Sequence, residues 1–336
     1  RRKNGIILNS HRHEFYTRHA PFYFKKEDVD FRNETDSLLF NYKHIKHSQF
    51  YGSNIPIWSP NVLEKLKYGL CEQRCWYNST LLSSIGMAVT IDCVPAWGNR
   101  NSSHSWNALI VKGETYPFEP FWDNDRWKYK HIYNNESFDH YWGRFRLPKV
   151  YRVTYSNNLD GPILDKNVSQ NDIPSLFKNS KMKDVSSAYF KTSDVIVDLS
   201  GSIPEGCEYA YLCVFGYQQW HPVQWGRIKN GKALFKDMGR DIVYLPVFYV
   251  NGSIKYASSP FLLNSKGKVE VLKYSIDKQS IAVKNIAGAR EHESNIQNMN
   301  SLKNAIFIGS SNKNNLTNGD TLCKVKNIEL YNCNYK

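Results

Sequence analysis

The fold is decided by residues 104–120, which read HSWNALIVKGETYPFEP. Apolar and polar side chains alternate over residues 105–111 and again over 115–118, which is the pattern of half-buried β-strands. The residues between them, Lys112-Gly113-Glu114, are typical of a tight turn. This stretch therefore predicts a β-hairpin.

Upstream of the hairpin the pattern is first helical and then strand-like. Apolar residues recur at helical spacing over residues 61–86, and Gly69 interrupts that pattern. We expect a helix over 71–85, and the alternation of residues 88–94 predicts a strand after it. A helix, a strand and a hairpin in this order indicate the α+β class, with the core of the first domain at about residues 61–123.

Strand-like runs recur in the second half of the chain, at residues 194–199, 209–215, 223–228, 232–235 and 242–249. Asn-Gly pairs separate some of these runs, and such pairs favour two-residue hairpin turns. We therefore expect an antiparallel β-sandwich over residues 184–274, joined to a first domain over 1–155 by a linker over 156–183. The polar tail, residues 275–336, holds too few apolar residues for a core of its own.

Length, charge and hydropathy limit the classes of function. A chain of 336 residues is too long for one comfortable core, so we expect at least two domains. The formal net charge is +13, but the basic residues form no block, which disfavours nucleic acid as a partner. No stretch approaches the roughly 20 apolar residues that cross a bilayer, so no transmembrane segment is predicted. The chain begins at Arg1 without a signal peptide, which is compatible with removal of a leader or of further N-terminal sequence.

The seven cysteines lack the paired spacing of a structural zinc site, and we expect neither a metal nor another cofactor. Cys71 differs from the others because it begins the predicted helix. Backbone N–H groups and the helix dipole at such a position lower the pKa of a thiol. A lone cysteine is more often a small buried hydrophobe, and we interpret Cys75, one turn later, in that way.

A base and a carboxylate are predicted to stand beside this thiol. If the hairpin turn is centred on residues 112–113, facing residues have numbers that sum to about 225. Glu119 then lies opposite Trp106 and beside His104. A nucleophile at a helix start, an imidazole and an orienting carboxylate follow the general logic of a catalytic triad. Asp123 is the reserve candidate for the carboxylate.

Three blocks of sequence resemble the core of the transglutaminase-like family. They are Gly69-Leu70-Cys71-Glu72, Ser103-His104-Ser105-Trp106-Asn107 and Tyr116-Pro117-Phe118-Glu119-Pro120. In that family the matching positions are a nucleophilic Cys, the His of a His-x-Trp strand and an Asp commonly followed by Pro. The resemblance implies Cys71 as nucleophile, His104 as general base and Glu119, in place of the usual Asp, as the group that orients the imidazole. It also implies a papain/transglutaminase-like catalytic core within the α+β class.

The resemblance extends to bacterial multidomain members of that family with appended β-domains. It is carried by residues 151–155, by 237–240 and by the region around Trp220 and Trp225. Because such proteins are typically exported, it implies an extracytoplasmic location, in the periplasm or at the cell surface. The tail over 307–322 is similar to the start of a galactose-binding-like module, so carbohydrate is a candidate partner, although we interpret the two tryptophans first as core residues.

The expected chemistry is acyl transfer through a thioester. Hydrolysis of peptide or glycopeptide amides is preferred, because no calcium-loop pattern supports a regulated transglutaminase. Two alternatives stay open: a protein-glutamine transglutaminase, and a non-catalytic glycan- or protein-binding protein that only presents the cleft. The backbone N–H of Cys71 is the expected oxyanion donor. Candidates for a second donor, or for the walls of the cleft, are Trp58, Gln73, Trp97 and Trp106.

Overall fold

The computed structural model describes residues 60–120, 145–158 and 160–272, together with Thr35, Leu39 and short strands at 46–47, 278–280 and 329–331. The α-helices that it bounds are α1 (Pro60–Leu66) and α2 (Cys71–Ser84). Single turns of 3-10 helix lie at Pro162–Leu164, Gln170–Asp172, Ser175–Lys178 and Ser186–Ala188.

In chain order the strands are β1 (Lys46–His47), β2 (Tyr68–Gly69), β3 (Val89–Val94), β4 (His104–Val111), β5 (Glu114–Phe118), β6 (Tyr151–Val153), β7 (Met182–Asp184), β8 (Ser193–Asp198), β9 (Tyr209–Gly216), β10 (Gln219–Lys229), β11 (Lys232–Met238), β12 (Ile242–Val250), β13 (Ser253–Tyr256), β14 (Phe261–Leu263), β15 (Val269–Val271), β16 (Lys278–Ser280) and β17 (Glu329–Tyr331). The first sheet has five antiparallel strands in the order β5-β4-β3-β6-β7.

Helix α2 lies where the sequence predicts a helix. It begins at Cys71, and after it Gly86 has a φ of +89°, the left-handed conformation that suits a glycine behind a helix. Its apolar side chains Tyr77, Leu81 and Leu82 are buried against the first sheet. Because burial of each large apolar side chain contributes about 1.5–3 kcal/mol, this contact fixes the helix on the sheet.

The β4–β5 hairpin has the predicted register. Val111 faces Glu114 across a turn at residues 112–113, and the ladder continues with the same pairing along both strands. A shift of one residue would turn every side chain to the other face of the sheet. The register therefore decides that His104 and Glu119 lie on the same face.

The second sheet is antiparallel and has eight strands, in the order β15-β14-β12-β9-β10-β11-β8 with β13 also paired to β12. The ladder continues because long strands change partners along their length. β12 pairs with β14 through residues 242–244, with β9 through 245–247 and with β13 through 247–250. A register shift between Pro222 and Gln224 disrupts the ladder of β10 in the way that a β-bulge does.

The expected fold class, α+β with a papain/transglutaminase-like catalytic core, is wrong. The described part of the chain is mostly antiparallel β-sheet, with 42% of its residues in strands and 18% in helices, and one sheet is nearly a barrel. The prediction gave too much weight to α2, because this one helix carries the first motif while the strands around it make up most of the fold. Residues 193–272, which are all described, hold eight strands and no helix.

The expected β-sandwich over residues 184–274 is replaced by this single curled sheet. Strands β8 to β12 lie close to their predicted positions, but a sandwich needs two separate sheets that face each other. Here β12 pairs with β14 at one end and with β9 farther along, so that the hydrogen-bonded ladder is continuous. The resulting sheet curls around one core that includes Leu212, Phe235, Tyr244 and Phe248. Alternation predicts strands, whereas the choice of partner depends on long-range packing.

The predicted tail over 275–336 lies outside the described residues except for β16 and β17, which pair with each other. Its assignment to part of a galactose-binding-like module stays a prediction. Across the parts of the chain that the structure describes, no helix has the length and apolar character needed to span a membrane.

The two large sheets meet at a junction that buries a charged side chain. Lys149 is fully buried and donates hydrogen bonds of 2.9 Å to the carbonyl oxygens of Lys236 and Asp237 in β11. It also forms an ion pair with Asp184 in β7. Burial lowers the pKa of Lys149, and the charge of Asp184 opposes that shift. One ammonium group thus links the first sheet to the second.

Lys149 should be required for the stability of this junction. Lys149→Met keeps an apolar stem but leaves the Asp184 carboxylate and two carbonyl oxygens without their donor, which costs about 3–5 kcal/mol in comparable buried pairs. Urea unfolding monitored by tryptophan fluorescence measures the loss. Lys183→Met, at an exposed position of β7, is the matched control and should change the free energy of unfolding by less than about 0.5 kcal/mol. Equal effects of the two variants would contradict the role of Lys149.

Candidate active site

Cys71 is the first residue of α2, and the chain enters this helix through Gly69 and Leu70. Leu70 is extended, with φ −80° and ψ 169°. Since leucine has no polar side chain, the cap comes from Gln73, whose Oε1 accepts a hydrogen bond from the Leu70 N–H at 2.7 Å. A Cβ on Gly69 would lie 2.8 Å from the side chain of Leu63, so glycine permits this close entry. The thiol therefore stands at the N–H end of the helix, which favours an anion.

His104 and Glu119 come from the two strands of the hairpin. His104 is the first residue of β4, and Glu119 follows β5 directly. The His104 Nε2 lies 3.7 Å from the Glu119 Oε1. Their side chains are 21% and 19% exposed, so the pair is largely shielded but still reachable from solvent. Because Nε2 faces the carboxylate, Nδ1 is the ring nitrogen left for the thiol.

The thiol and the imidazole shift each other's pKa. Burial acts to raise the pKa of Cys71, but the hydrogen bond and charge of His104 and the backbone N–H groups of Ser105 and Glu72 outweigh burial, so this pKa is lowered. Burial acts to lower the pKa of His104, but its interactions with Cys71 and Glu119 raise it to about 9. Both directions favour a thiolate beside an imidazolium at neutral pH.

The other described cysteines lack this environment. Burial raises the pKa of Cys75 well above its usual range, raises that of Cys93 to about 12, and raises those of Cys207 and Cys213. Cys75 is fully buried between α2 and the sheet, as predicted for a packing residue. Among the five described cysteines, Cys71 is the one whose pKa is lowered.

Two side chains of α2 hold the backbone immediately after Glu119. Arg74 Nε and Asn78 Nδ2 donate hydrogen bonds to the carbonyl oxygen of Pro120, at 2.9 and 2.8 Å. Both side chains are fully buried and lie one helical turn apart, so they face the same way. Because Pro120 follows Glu119 directly, this clamp sets the position of the carboxylate relative to His104.

Asn107 of β4 completes the polar contact between helix and sheet. Its Oδ1 accepts a hydrogen bond from Asn78 at 3.0 Å. Its Nδ2 lies 3.1 Å from the carbonyl oxygens of Cys75 and Thr90 and 3.2 Å from the Ser79 hydroxyl. The helix cannot slide along the sheet without breaking the bonds to Asn78, Cys75 and Ser79, at a cost of about 1–3 kcal/mol for each buried group left unsatisfied.

Aromatic rings surround the imidazole. Trp97 stacks beside it with ring centroids 6.4 Å apart, and the centroid of Trp106 lies at 6.1 Å. Trp106 is fully buried and donates its indole N–H to the Tyr189 hydroxyl at 2.8 Å, and Tyr189 donates to Asp92 at 2.6 Å. Arg152 of β6 donates two hydrogen bonds of 2.7 and 2.8 Å to the same carboxylate. This network anchors the Trp106 ring, beside the imidazole, to the centre of the first sheet.

Of the predicted site residues, the structure brings Cys71, His104 and Glu119 together. The candidates for a second oxyanion donor are placed differently. Gln73 uses its amide oxygen to cap α2, and Trp106 donates its N–H to a buried tyrosine. Trp97 stacks beside the imidazole, and its assignment to a wall of the cleft stays a prediction.

Two of the remaining candidates, Trp58 and the reserve carboxylate Asp123, lie outside the described residues. Their assignments, and the catalytic roles of the three residues that do meet, stay predictions.

Sequence reasoning missed the side chains that position these groups. Arg74 and Asn78 lie on a buried face of α2 that is polar, and a helical period alone treats such residues as exposed. Their spacing of four residues, starting one turn after the nucleophile, is the signal that could have found them. The backbone N–H groups of Ser105 and Glu72 also lower the pKa of Cys71. Because every residue except proline has such a group, the sequence could not have indicated these two.

This arrangement supports nucleophilic chemistry by sulfur. A thiolate is the reactive form of cysteine, and an imidazolium beside it can give a proton to a leaving group. Within the described parts of the chain, no group of three or more His, Cys, Asp or Glu side chains could hold a metal ion. No protein-family model matches the chain, and no curated protein matches it at a significant level. The function is therefore argued from the site alone.

The lowered pKa of Cys71 predicts alkylation at a pH where ordinary thiols are inert. At about pH 6, iodoacetamide should label Cys71 about tenfold faster than Cys207, a partly exposed thiol whose pKa is raised. A thiolate persists at every pH above its pKa, so the advantage should be largest in acid and shrink as pH rises. Peptide-level mass spectrometry of labelling against time measures both rates.

His104→Ala is the matched variant for that experiment. It removes the cation that lowers the pKa of Cys71 and leaves the burial that raises it, so labelling should move to higher pH. Equal rates for Cys71 and Cys207 in the unaltered chain would contradict the ion pair.

Proposed function

We propose that this chain is a cysteine-dependent hydrolase of amide bonds in peptides or glycopeptides. The observation that carries the proposal is the meeting of Cys71, at the start of α2, with His104 and Glu119 of the hairpin, and these contacts lower the pKa of Cys71 and raise that of His104 to about 9. These shifts supply a nucleophile and a proton donor in their reactive forms at neutral pH. Glu119 faces the second ring nitrogen and supports the imidazolium.

In the acylation step, the Cys71 thiolate attacks the carbonyl carbon of the amide and forms a C–S bond. The carbonyl electron pair moves to oxygen, where the backbone N–H of Cys71 is the proposed donor, a contribution on the order of 3 kcal/mol in comparable sites. The His104 imidazolium gives its Nδ1 proton to the amide nitrogen. The C–N bond breaks, a neutral amine leaves, and a thioester remains on Cys71.

In the deacylation step, water attacks the thioester while neutral His104 takes one of its protons. The C–S bond breaks, the carboxylic acid leaves, and the thiolate and imidazolium are restored. The partial exposure of His104 and Glu119 supports hydrolysis over transfer, because solvent water can reach the thioester.

The likeness of the three motif blocks to the transglutaminase-like family stays a proposal about the site, because the fold differs from the core expected for that family. An extracytoplasmic location is proposed on the same likeness. A protein-glutamine transglutaminase would use the same three residues and differ in the acceptor, so one experiment can distinguish the two.

The direct test is digestion of a proteome-derived peptide library in ¹⁸O-labelled water. New C-termini that carry ¹⁸O should appear with the unaltered chain and disappear with Cys71→Ala. His104→Ala should lower the rate by about 10²–10⁴-fold, the usual contribution of a general acid-base. Cys207→Ala, which lies just before β9 and outside the proposed site, is the matched control and should cleave at the normal rate.

Two further arms make the test decisive. Glu119→Asp keeps the negative charge and should retain more activity than Glu119→Gln, which removes it. If an added primary amine such as dansylcadaverine replaces ¹⁸O in the products, the chain is a transglutaminase. If the library stays intact, the hydrolase proposal fails and a binding function takes its place.

A further inference from the structure

Three hairpins of the second sheet turn through two residues that both have positive φ. The turns are Asn230-Gly231 between β10 and β11, Asn251-Gly252 between β12 and β13, and Tyr217-Gln218 between β9 and β10. Asn-Gly is the pair that adopts this conformation most easily, whereas φ values of 49° and 61° are strained for Tyr217 and Gln218. Stability alone therefore does not explain the choice of Tyr-Gln at the third turn.

The strained turn lies against the loop that leads into His104. The backbone N–H of Tyr217 donates a hydrogen bond of 2.7 Å to the Oδ1 of Asn101, which precedes His104 by three residues. Gly216 adjoins the same loop, since a Cβ there would lie 3.8 Å from the carbonyl oxygen of Arg100. The second sheet thus reaches the edge of the candidate active site at this turn.

The turn also exposes aromatic surface. Phe215 is 54% exposed and Tyr217 58% exposed, although large apolar side chains usually avoid water. The rings of Phe215 and Trp220 meet edge to face, with centroids 5.3 Å apart and planes at 64°. Phe215 and Tyr217 thus present exposed apolar surface beside the loop that leads into His104, and burying it under an apolar side chain contributes about 25 cal/mol per Å². Because the reaction proposed for the site cleaves amide bonds, a polypeptide side chain is the occupant that this surface would meet.

We propose that residues 215–220, the aromatic tip, form a subsite that holds an apolar side chain of an extended polypeptide substrate. The subsite deepens the amide hydrolysis proposed above and rests on it. Asn101, whose side chain the tip contacts, is three residues from His104, so the Cα atoms of these two residues lie about 10 Å apart at most. An extended substrate covers this distance in about three or four residues. The tip therefore selects peptides of that length or longer on one side of the cleaved bond.

The test replaces the strained pair with the pair used at the other turns. Y217N/Q218G should raise Tm by a few degrees, because the new turn is unstrained. It should also lower kcat/KM for eight-residue peptides about tenfold relative to three-residue peptides, mainly through KM. The peptides are synthetic and centred on a bond that the library experiment finds cleaved. Phe215→Ala, which leaves the turn intact, should lower the same ratio without raising Tm.

The reciprocal exchange N230Y/G231Q is the matched control. It puts the strained pair at the far end of β10, about 30 Å away along an 11-residue strand. This variant should lose stability and keep the normal ratio of long to short substrates. Cys71 alkylation in every variant reports whether the site itself remains intact.

The outcomes separate the two proposals. If the unaltered chain cleaves peptides but Y217N/Q218G keeps the normal ratio, the subsite is refuted and the hydrolase stands. If only glycosylated peptides respond to the variant, the tip binds sugar and the polypeptide assignment is wrong. If the unaltered chain cleaves no peptide, both proposals fail together.

Discussion

The buried carbonyl oxygen of Pro120 is the point on which the geometry of the site depends. It accepts hydrogen bonds from Arg74 and Asn78, and Asn78 is bonded in turn to Asn107 of β4. Three separate pieces of backbone, α2, β4 and the segment after β5, are thereby tied to one another inside the protein. Each piece carries one of the reactive groups. Since buried polar groups are costly to leave unsatisfied, this link fixes one relative position of helix and hairpin.

The charges of the site depend on each other in the same way. Burial opposes a lone thiolate and a lone imidazolium alike, so neither Cys71 nor His104 is stable as an ion without its partner. Their titration is therefore a property of the pair, and Glu119 biases the pair towards the ionic form. The hydrogen bonds from Arg74 and Asn78 to the Pro120 carbonyl oxygen therefore also affect the pKa of His104. They hold Glu119 in place, and a small displacement of its carboxylate would weaken the interaction with the imidazolium.

Local rules were sufficient to predict much of the site. The helix start at Cys71 and the register of β4 and β5 follow from a glycine, a two-residue turn and alternation, all of which act within a few residues. The side chains that lock these parts together, such as Asn78, could not be predicted, because they are polar residues on a buried helix face.

The overall architecture was beyond local rules for a different reason. Strands β8 to β12 are visible in the sequence, but closure into one curled sheet depends on how β12 divides its hydrogen bonds among three partners. Nothing in the alternation of a single strand encodes that division. The strained pair Tyr217-Gln218 is a further departure from local preference, and it occurs where the second sheet reaches the site.

The central claim, a thiolate at Cys71 held by His104, is tested most directly by ultraviolet absorbance of the thiolate. The difference spectrum between the unaltered chain and Cys71→Ser, recorded across pH, isolates this one sulfur. The account predicts that the thiolate signal is already present at about neutral pH and disappears only in acid, well below the ordinary thiol pKa of about 8.5. A difference signal that appears only at or above that ordinary value would contradict the account.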